Sequence, residues 1–178
     1  IGMGYVGTAM ATLVASTKVK KKYKFFVTGV EKLNPKGKEI ANSINQGKLP
    51  FEIGDKLFKN NFYYATKIKK NFLCSNSLES IKKSKIIIIS INCDLKNKND
   101  LNVDLDQFLK SISEIARYMD QNALMIVEST IPPGTCEKKI YPMINKIFKQ
   151  RRLKRKKVLL AYTYERVMPG NNRSEEHT

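Results

Sequence analysis

The chain opens Ile1-Gly2-Met3-Gly4-Tyr5-Val6-Gly7, with glycines at the first, third and sixth places of a six-residue run. Each has a separate use where a strand turns into a helix over a diphosphate. Gly2 allows the sharp turn, Gly4 leaves bare backbone against the pyrophosphate, and Gly7 lets the helix sit close to the sheet. Met3, Tyr5 and Val6 belong to the same candidate turn, and the first N–H groups of the helix would face phosphate oxygens. Glycine also collects in ordinary turns, so the run gains meaning only from an acid downstream. Glu31 lies 24 residues beyond Gly7, at the end of the apolar run Phe25-Phe26-Val27-Thr28-Gly29-Val30. A carboxylate there accepts hydrogen bonds from the adenosine ribose hydroxyls and repels a 2′-phosphate, which favours NAD over NADP. Without the glycines it would read as a surface acid at a strand end. Lys36, in the turn Asn34-Pro35-Lys36-Gly37, is a further candidate on the cofactor side.

Two later strand ends carry polar groups. Ile86-Ile87-Ile88-Ile89-Ser90-Ile91 is too short and too β-branched for a helix, and reads as a strand buried on both faces of a parallel sheet. Ligands in such sheets lie at the carboxyl ends of the strands, so Ile91-Asn92-Cys93-Asp94 should border the site, with Asn92 and Cys93 as candidates. The strand Ala123 to Val127 ends in Glu128-Ser129-Thr130-Ile131-Pro132-Pro133-Gly134-Thr135. There Ser129 and Thr130, followed by a proline-glycine turn, would hold hydroxyls rigidly over a ligand.

The remaining elements must position these groups. Thr8 to Ser16 suits a helix packed on a sheet, Lys18 to Lys24 a turn, and Lys38 to Gln46 a short helix. Pro50 to Leu57 continues into a second helical stretch. Phe72 to Cys74 reads as a strand, with Ser77 capping a helix over Leu78 to Lys83. Lys96 to Asp100 reads as a polar loop, Val103 to Met119 and Cys136 to Phe148 as helices, and Val158 to Tyr162 as a last strand. Alternating strand and helix imply an α/β, Rossmann-like, doubly wound, mostly parallel sheet with helices on both faces.

A chain of 178 residues with 42% hydrophobic content can bury a domain core, and no apolar run approaches a membrane span. The three cysteines, Cys74, Cys93 and Cys136, form no C-x-x-C pair and read as reduced thiols, so the expected compartment is cytoplasmic. A formal charge of +17 raises polyanion binding. The lysines are scattered, however, and the 18 Ile and 15 Asn beside them suggest A/T-rich codons. Most of the excess is therefore read as solvated surface, with no nucleic-acid or membrane partner and no metal. The dense run Lys149 to Lys157 lacks interleaved aromatics and reads as a helix end and linker.

Neither end looks native. Ile1 stands where a strand should deliver the chain into the glycine turn, which suggests a fragment with its first strand truncated. Arg173-Ser174-Glu175-Glu176-His177-Thr178 matches one reading frame of a common sequencing-library adapter. The expected organisation is an NAD-binding domain over residues 1–172 and an adapter-derived tail over residues 173–178.

Four segments, in order, resemble the nucleotide-sugar 6-dehydrogenases, the family of UDP-glucose dehydrogenase and the UDP-N-acetylhexosamine dehydrogenases. They are Gly2 to Gly7, the strand and loop Ile86 to Leu95, Glu128 to Thr135, and Glu165-Arg166-Val167-Met168-Pro169-Gly170. The resemblance implies NAD-dependent oxidation of a sugar C6 alcohol to a carboxylate by two hydride transfers. Thr130 matches the family's catalytic threonine, which helps hold a water, and Glu165 matches the glutamate that works with it as acid/base. The last segment resembles the branch acting on N-acetylated amino sugars. The family's reactive thiol sits in a sugar-binding domain outside this chain, which sets aside Cys74, Cys93 and Cys136 as nucleophiles. Assembly into homo-oligomers is likewise implied to use regions outside it. Cys93 stands where threonine is usual, Asn92 and Asp94 where prolines are usual, and Tyr164 where a proline precedes the glutamate. Two other readings remain: a dehydrogenase of the 6-phosphogluconate or 3-hydroxyacid type, against which the Ser-Thr-x-Pro-x-Gly turn argues, and a basic nucleic-acid-binding module, which salt-dependent DNA binding without NAD binding would favour.

Overall fold

A computed structural model describes the chain except residues 94, 98–99, 104, 155–156 and 165–178. The expected adapter-derived tail, and the segment Glu165 to Gly170, lie outside the described residues. The rest divides into two compact units, Ile1–Ser77 and residues 78–164.

In the first unit, helix α1 (Tyr5–Ser16) leads through strands β1 (Lys18–Val19) and β2 (Lys22–Tyr23) to β3 (Val27–Val30). Helices α2 (Pro35–Asn45) and α3 (Lys56–Tyr63) precede β4 (Phe72–Ser75), and a π-helical turn, Tyr64–Ile68, extends α3. Strands β3 and β4 pair in parallel, Val27 opposite Phe72 and Val30 opposite Ser75. The helix α1 packs on β3, and its small residues Gly7, Ala11 and Ala15 are buried, so its backbone can approach the sheet. Met3, Ile44, Phe62, Phe72 and Cys74 complete this core, with the Phe62 and Phe72 rings edge to face at 6.0 Å. Burying either ring contributes about 2 kcal/mol. Asn45 closes the other edge of β4: its amide donates to Cys74 O at 2.9 Å and its Oδ1 accepts the Cys74 N–H at 2.8 Å, standing in for a further strand.

The second unit holds β5 (Ile86–Ile89), β6 (Leu95–Asn97), β7 (Asp100–Val103), α4 (Leu105–Tyr118), β8 (Leu124–Val127), α5 (Tyr141–Gln150) and β9 (Leu159–Tyr162). Its three-stranded sheet runs β5-β8-β9, every pair parallel. Ile87, Ile89, Met125 and Val127 are buried, as are Phe108, Ile112, Ile115 and Ala116 of α4 and Ile144, Ile147 and Phe148 of α5. Helices α4 and α5 pack together. Parallel strands interleaved with helices make this a Rossmann-like α/β fold.

Several local expectations change. The lysine-rich turn is a hairpin, with Lys18 opposite Tyr23. The strand expected from Phe25 starts at Val27, and Phe25 and Phe26 are exposed. The helix expected from Pro50 starts at Lys56, because Asp55 caps it by accepting the Phe58 N–H at 3.0 Å. Leu78–Ile81 forms a 3-10 turn and not an α-helix. The supposed polar loop at Lys96 to Asp100 contains an antiparallel hairpin of β6 and β7, which also takes Val103 from α4. The helix expected from Cys136 begins as a π-helical turn, Cys136–Ile140. Of the four isoleucines of β5, Ile87 and Ile89 are buried, whereas Ile86 is exposed and Ile88 half-buried. One face of that strand is thus fully covered, and the expectation of burial on both faces does not hold. In the basic run, Arg151 is structural: one guanidinium nitrogen donates to Ala116 O and Met119 O, both at 2.8 Å, satisfying carbonyls at the end of α4.

Candidate cofactor site

The glycine turn has the geometry its spacing implies. Gly2 takes φ +86°, a left-handed conformation that side-chained residues rarely adopt, and its N–H donates to Val30 O at 2.9 Å. A Cβ on Gly7 would land on Gly2 O, so close helix packing requires glycine there. A Cβ on Gly4 would meet nothing within 4 Å. Space stands open at the one position where a ligand should approach bare backbone. Gly4 is the N-cap of α1 and has no side chain to satisfy the first-turn N–H groups, which a ligand's oxygens can take instead. The buried Thr8 hydroxyl donates to Met3 O at 3.0 Å and locks the turn to the helix it starts. Tyr5 packs on Phe51 at 4.8 Å, and Val6 is half-buried beside it in sequence.

Glu31 joins the turn directly. Its Oε2 accepts the Met3 N–H at 2.7 Å and its Oε1 the Lys32 N–H at 2.9 Å. The half-buried carboxylate is therefore fixed at the end of β3 with lone pairs left for ribose hydroxyls. Lys36 is exposed in the first turn of α2, whose N-cap Asn34 accepts the Gly37 N–H at 2.7 Å. Among the described residues no hydrogen bond or ion pair ties Lys36 to the glycine turn.

The second unit brings the two polar strand ends together. Glu128 N–H donates to Ile89 O at 2.8 Å, and the Ser129 hydroxyl donates to the same carbonyl at 3.3 Å. The Ser90 hydroxyl donates to Glu128 Oε2 at 3.1 Å. Ser129 and Glu128 are buried, whereas Thr130 is exposed at the tip. Asn92 is exposed and Cys93 half-buried just past β5. The Pro-Gly turn that follows is held by Thr135, whose hydroxyl donates to Pro132 O at 2.7 Å, with Gly134 at φ +80°. The Ser90–Glu128 bond goes beyond the sequence expectations. Its one signal is a carboxylate directly before Ser129, at the end of a strand whose neighbour ends in a serine.

Two of the three thiols, Cys74 and Cys136, are poor nucleophiles. Burial, with the Glu31 charge adding to it, pushes Cys74 up to about 11, and burial raises Cys136 as well. Among the described residues no group of His, Cys, Asp and Glu could hold a metal ion, and no helix is long and apolar enough to cross a membrane.

Residues 1–177 match the model of the UDP-glucose/GDP-mannose dehydrogenase family, NAD binding domain. The chain belongs to this family. NAD is accordingly the cofactor of the domain, and the open space at Gly4 and the fixed Glu31 carboxylate fit it. Among relatives, the UDP-N-acetyl-D-mannosamine dehydrogenase of Methanococcus vannielii is 30% identical over 176 residues, 96% of this chain and 34% of that protein. The solved structure of NDP-N-acetyl-D-galactosaminuronic acid dehydrogenase from Methanosarcina mazei Go1 superposes with TM-score 0.80 at 26% identity, over 95% of this chain and 34% of that one. The UDP-D-ManNAc dehydrogenase of Pyrococcus horikoshii gives TM-score 0.75 at 28% identity, over 95% of this chain and 36% of that one. The chain thus spans about a third of the length of the family members it matches.

Proposed function

We propose that the protein carrying this chain oxidises the C6 alcohol of a UDP-N-acetylhexosamine to the uronate, with this chain as its NAD-binding half. The observation that carries the reading is a preformed dinucleotide turn, in a member of this family, on a chain that also presents Thr130 exposed at the tip of β8. The similarity to dehydrogenases named for N-acetylated sugars supports the substrate class. NAD supplies the hydride acceptor, used twice per sugar as alcohol becomes aldehyde and, with one water added, carboxylate.

The chain's own groups divide the remaining work. Backbone N–H groups at the start of α1 hold the diphosphate, and Glu31 takes the ribose hydroxyls and repels a 2′-phosphate. Ser129, tied to Ile89 O, fixes the strand tip, and the Thr130 hydroxyl orients the water beside the reacting carbon. Glu165 receives and returns protons, which requires a pKa near the working pH. Homo-oligomeric assembly in the cytoplasm, through regions outside residues 1–172, belongs to the same reading.

Glu165→Gln in the complete polypeptide tests the assignment. Turnover should fall by about a hundredfold or more while NAD affinity stays within about twofold. Normal turnover in that variant would remove Glu165 from its role.

A further inference from the structure

Two lysine-rich stretches of the sequence are gathered in one region of the first unit. Residues 18–24 supply five of them on the β1–β2 hairpin and its exit, all exposed. Lys20 and Lys21 form the turn at φ 50° and 63°, a conformation that favours asparagine and glycine, so the hairpin carries two charges at its tip against backbone preference. The Lys18 and Lys69 ammonium groups lie 4.8 and 5.9 Å from the centroid of the Tyr23 ring, and Tyr23 stacks on Tyr64 at 5.6 Å. This sets Lys69 and Lys70, both exposed, beside the hairpin. Asn71 next to them donates to Phe25 O at 2.9 Å and fixes the Phe25-Phe26 stretch at the same place.

Seven exposed lysines therefore share one region, and neither residues 17–30 nor residues 64–73 contain a carboxylate. Among the described residues none of these lysines is in an ion pair. Apolar side chains protrude among them: Val19 is 48% exposed, Phe26 65% and Ile68 59%.

We propose that this face docks on an anionic phospholipid bilayer. Clustered ammonium groups are drawn to an acidic leaflet, and interleaved apolar side chains gain by entering the headgroup boundary. A nucleic acid would use the charge but give Val19 and Ile68 nothing to bury against, and Tyr23 and Tyr64 are already stacked on each other. The proposal concerns attachment to the surface and no span, and it does not depend on the dehydrogenase reading.

Sedimentation of the chain with vesicles of phosphatidylglycerol and phosphatidylcholine, against vesicles of phosphatidylcholine alone, tests it. Binding should require the anionic lipid and weaken as salt rises. Each lysine removed should weaken it about fivefold, so Lys20→Gln/Lys21→Gln/Lys22→Gln should cost on the order of a hundredfold. Phe26→Ser should cost about tenfold without changing the salt dependence. Lys138→Gln/Lys139→Gln, equally exposed in the second unit, should change it by less than about twofold. Circular dichroism confirms that each variant is folded. Absence of binding to anionic vesicles would overturn the proposal. So would equal loss from both lysine variants, an unchanged affinity in Phe26→Ser, or tighter binding to single-stranded oligothymidylate than to the vesicles.

Discussion

The Glu31 carboxylate accepts the Met3 N–H at 2.7 Å, so the acid at the end of β3 is bonded to the glycine turn 28 residues earlier. One side chain thus shapes the glycine turn, and in the proposed reading it also takes the ribose hydroxyls. Glu31→Ala should lower NAD affinity about tenfold and raise the NADP-to-NAD affinity ratio by at least about tenfold, since it removes both the acceptor and the repulsion. Titration calorimetry with each dinucleotide measures the ratio. An unchanged preference would detach Glu31 from cofactor choice.

Gly4 and Gly7 should fail in different ways. Gly4 has φ −70° and open space at its Cβ, so Gly4→Ala should leave the melting temperature almost unchanged yet weaken NAD binding by about tenfold or more. A methyl on Gly7 meets Gly2 O, so Gly7→Ala should cost about 2 kcal/mol of stability as well as binding. Denaturation of both variants beside NAD titration separates the effects. Normal NAD affinity in Gly4→Ala would mean that the open space is not where the pyrophosphate lies.

Arg151 stabilises α4 from outside it. Arg151→Ala should cost about 2 kcal/mol in urea unfolding, because the carbonyls of Ala116 and Met119 lose a charged donor. A loss below about 0.5 kcal/mol would show that water replaces the guanidinium there.

Cys74 makes stability depend on pH on the alkaline side. Its thiol is raised from 9.0 to about 11, so the unfolded thiol ionises first as pH rises. The folded state then holds the proton more tightly, and this contribution is complete below about pH 9 and lost between about pH 9 and 11. Urea unfolding at about pH 8 and about pH 10 should show wild type losing more stability than Cys74→Ala, by on the order of 1 kcal/mol. Equal losses would mean that Cys74 titrates normally.

What the residues reveal on their own is what is local. The glycine turn, Glu31, the parallel strands β3, β5, β8 and β9, and the hydroxyl-bearing tip of β8 each depend on short runs with a fixed spacing. The β6–β7 hairpin escapes because residues 96–100 are polar and the alternation in Asp100-Leu101-Asn102-Val103 is too short to stand out beside the helix that follows. Phe25 and Phe26 mislead because an apolar run reads as buried, whereas Asn71 holds that backbone short of β3. Arg151 looks like part of a solvated run because its partners lie 32 and 35 residues away. The lysine cluster is half legible: the run at residues 18–24 stands in the sequence, but Lys69 joins it only across the Tyr23 ring. The bond between Ser90 and Glu128 needs the register that sets Ile89 beside Val127.

Counting NADH released per sugar tests the central claim most directly. The complete polypeptide, given in turn limiting UDP-N-acetylmannosamine, UDP-N-acetylglucosamine and UDP-N-acetylgalactosamine with excess NAD, should yield about two NADH for each molecule consumed of the sugar it accepts, with the uronate as product. One NADH per sugar, or none with any of the three, would contradict the account.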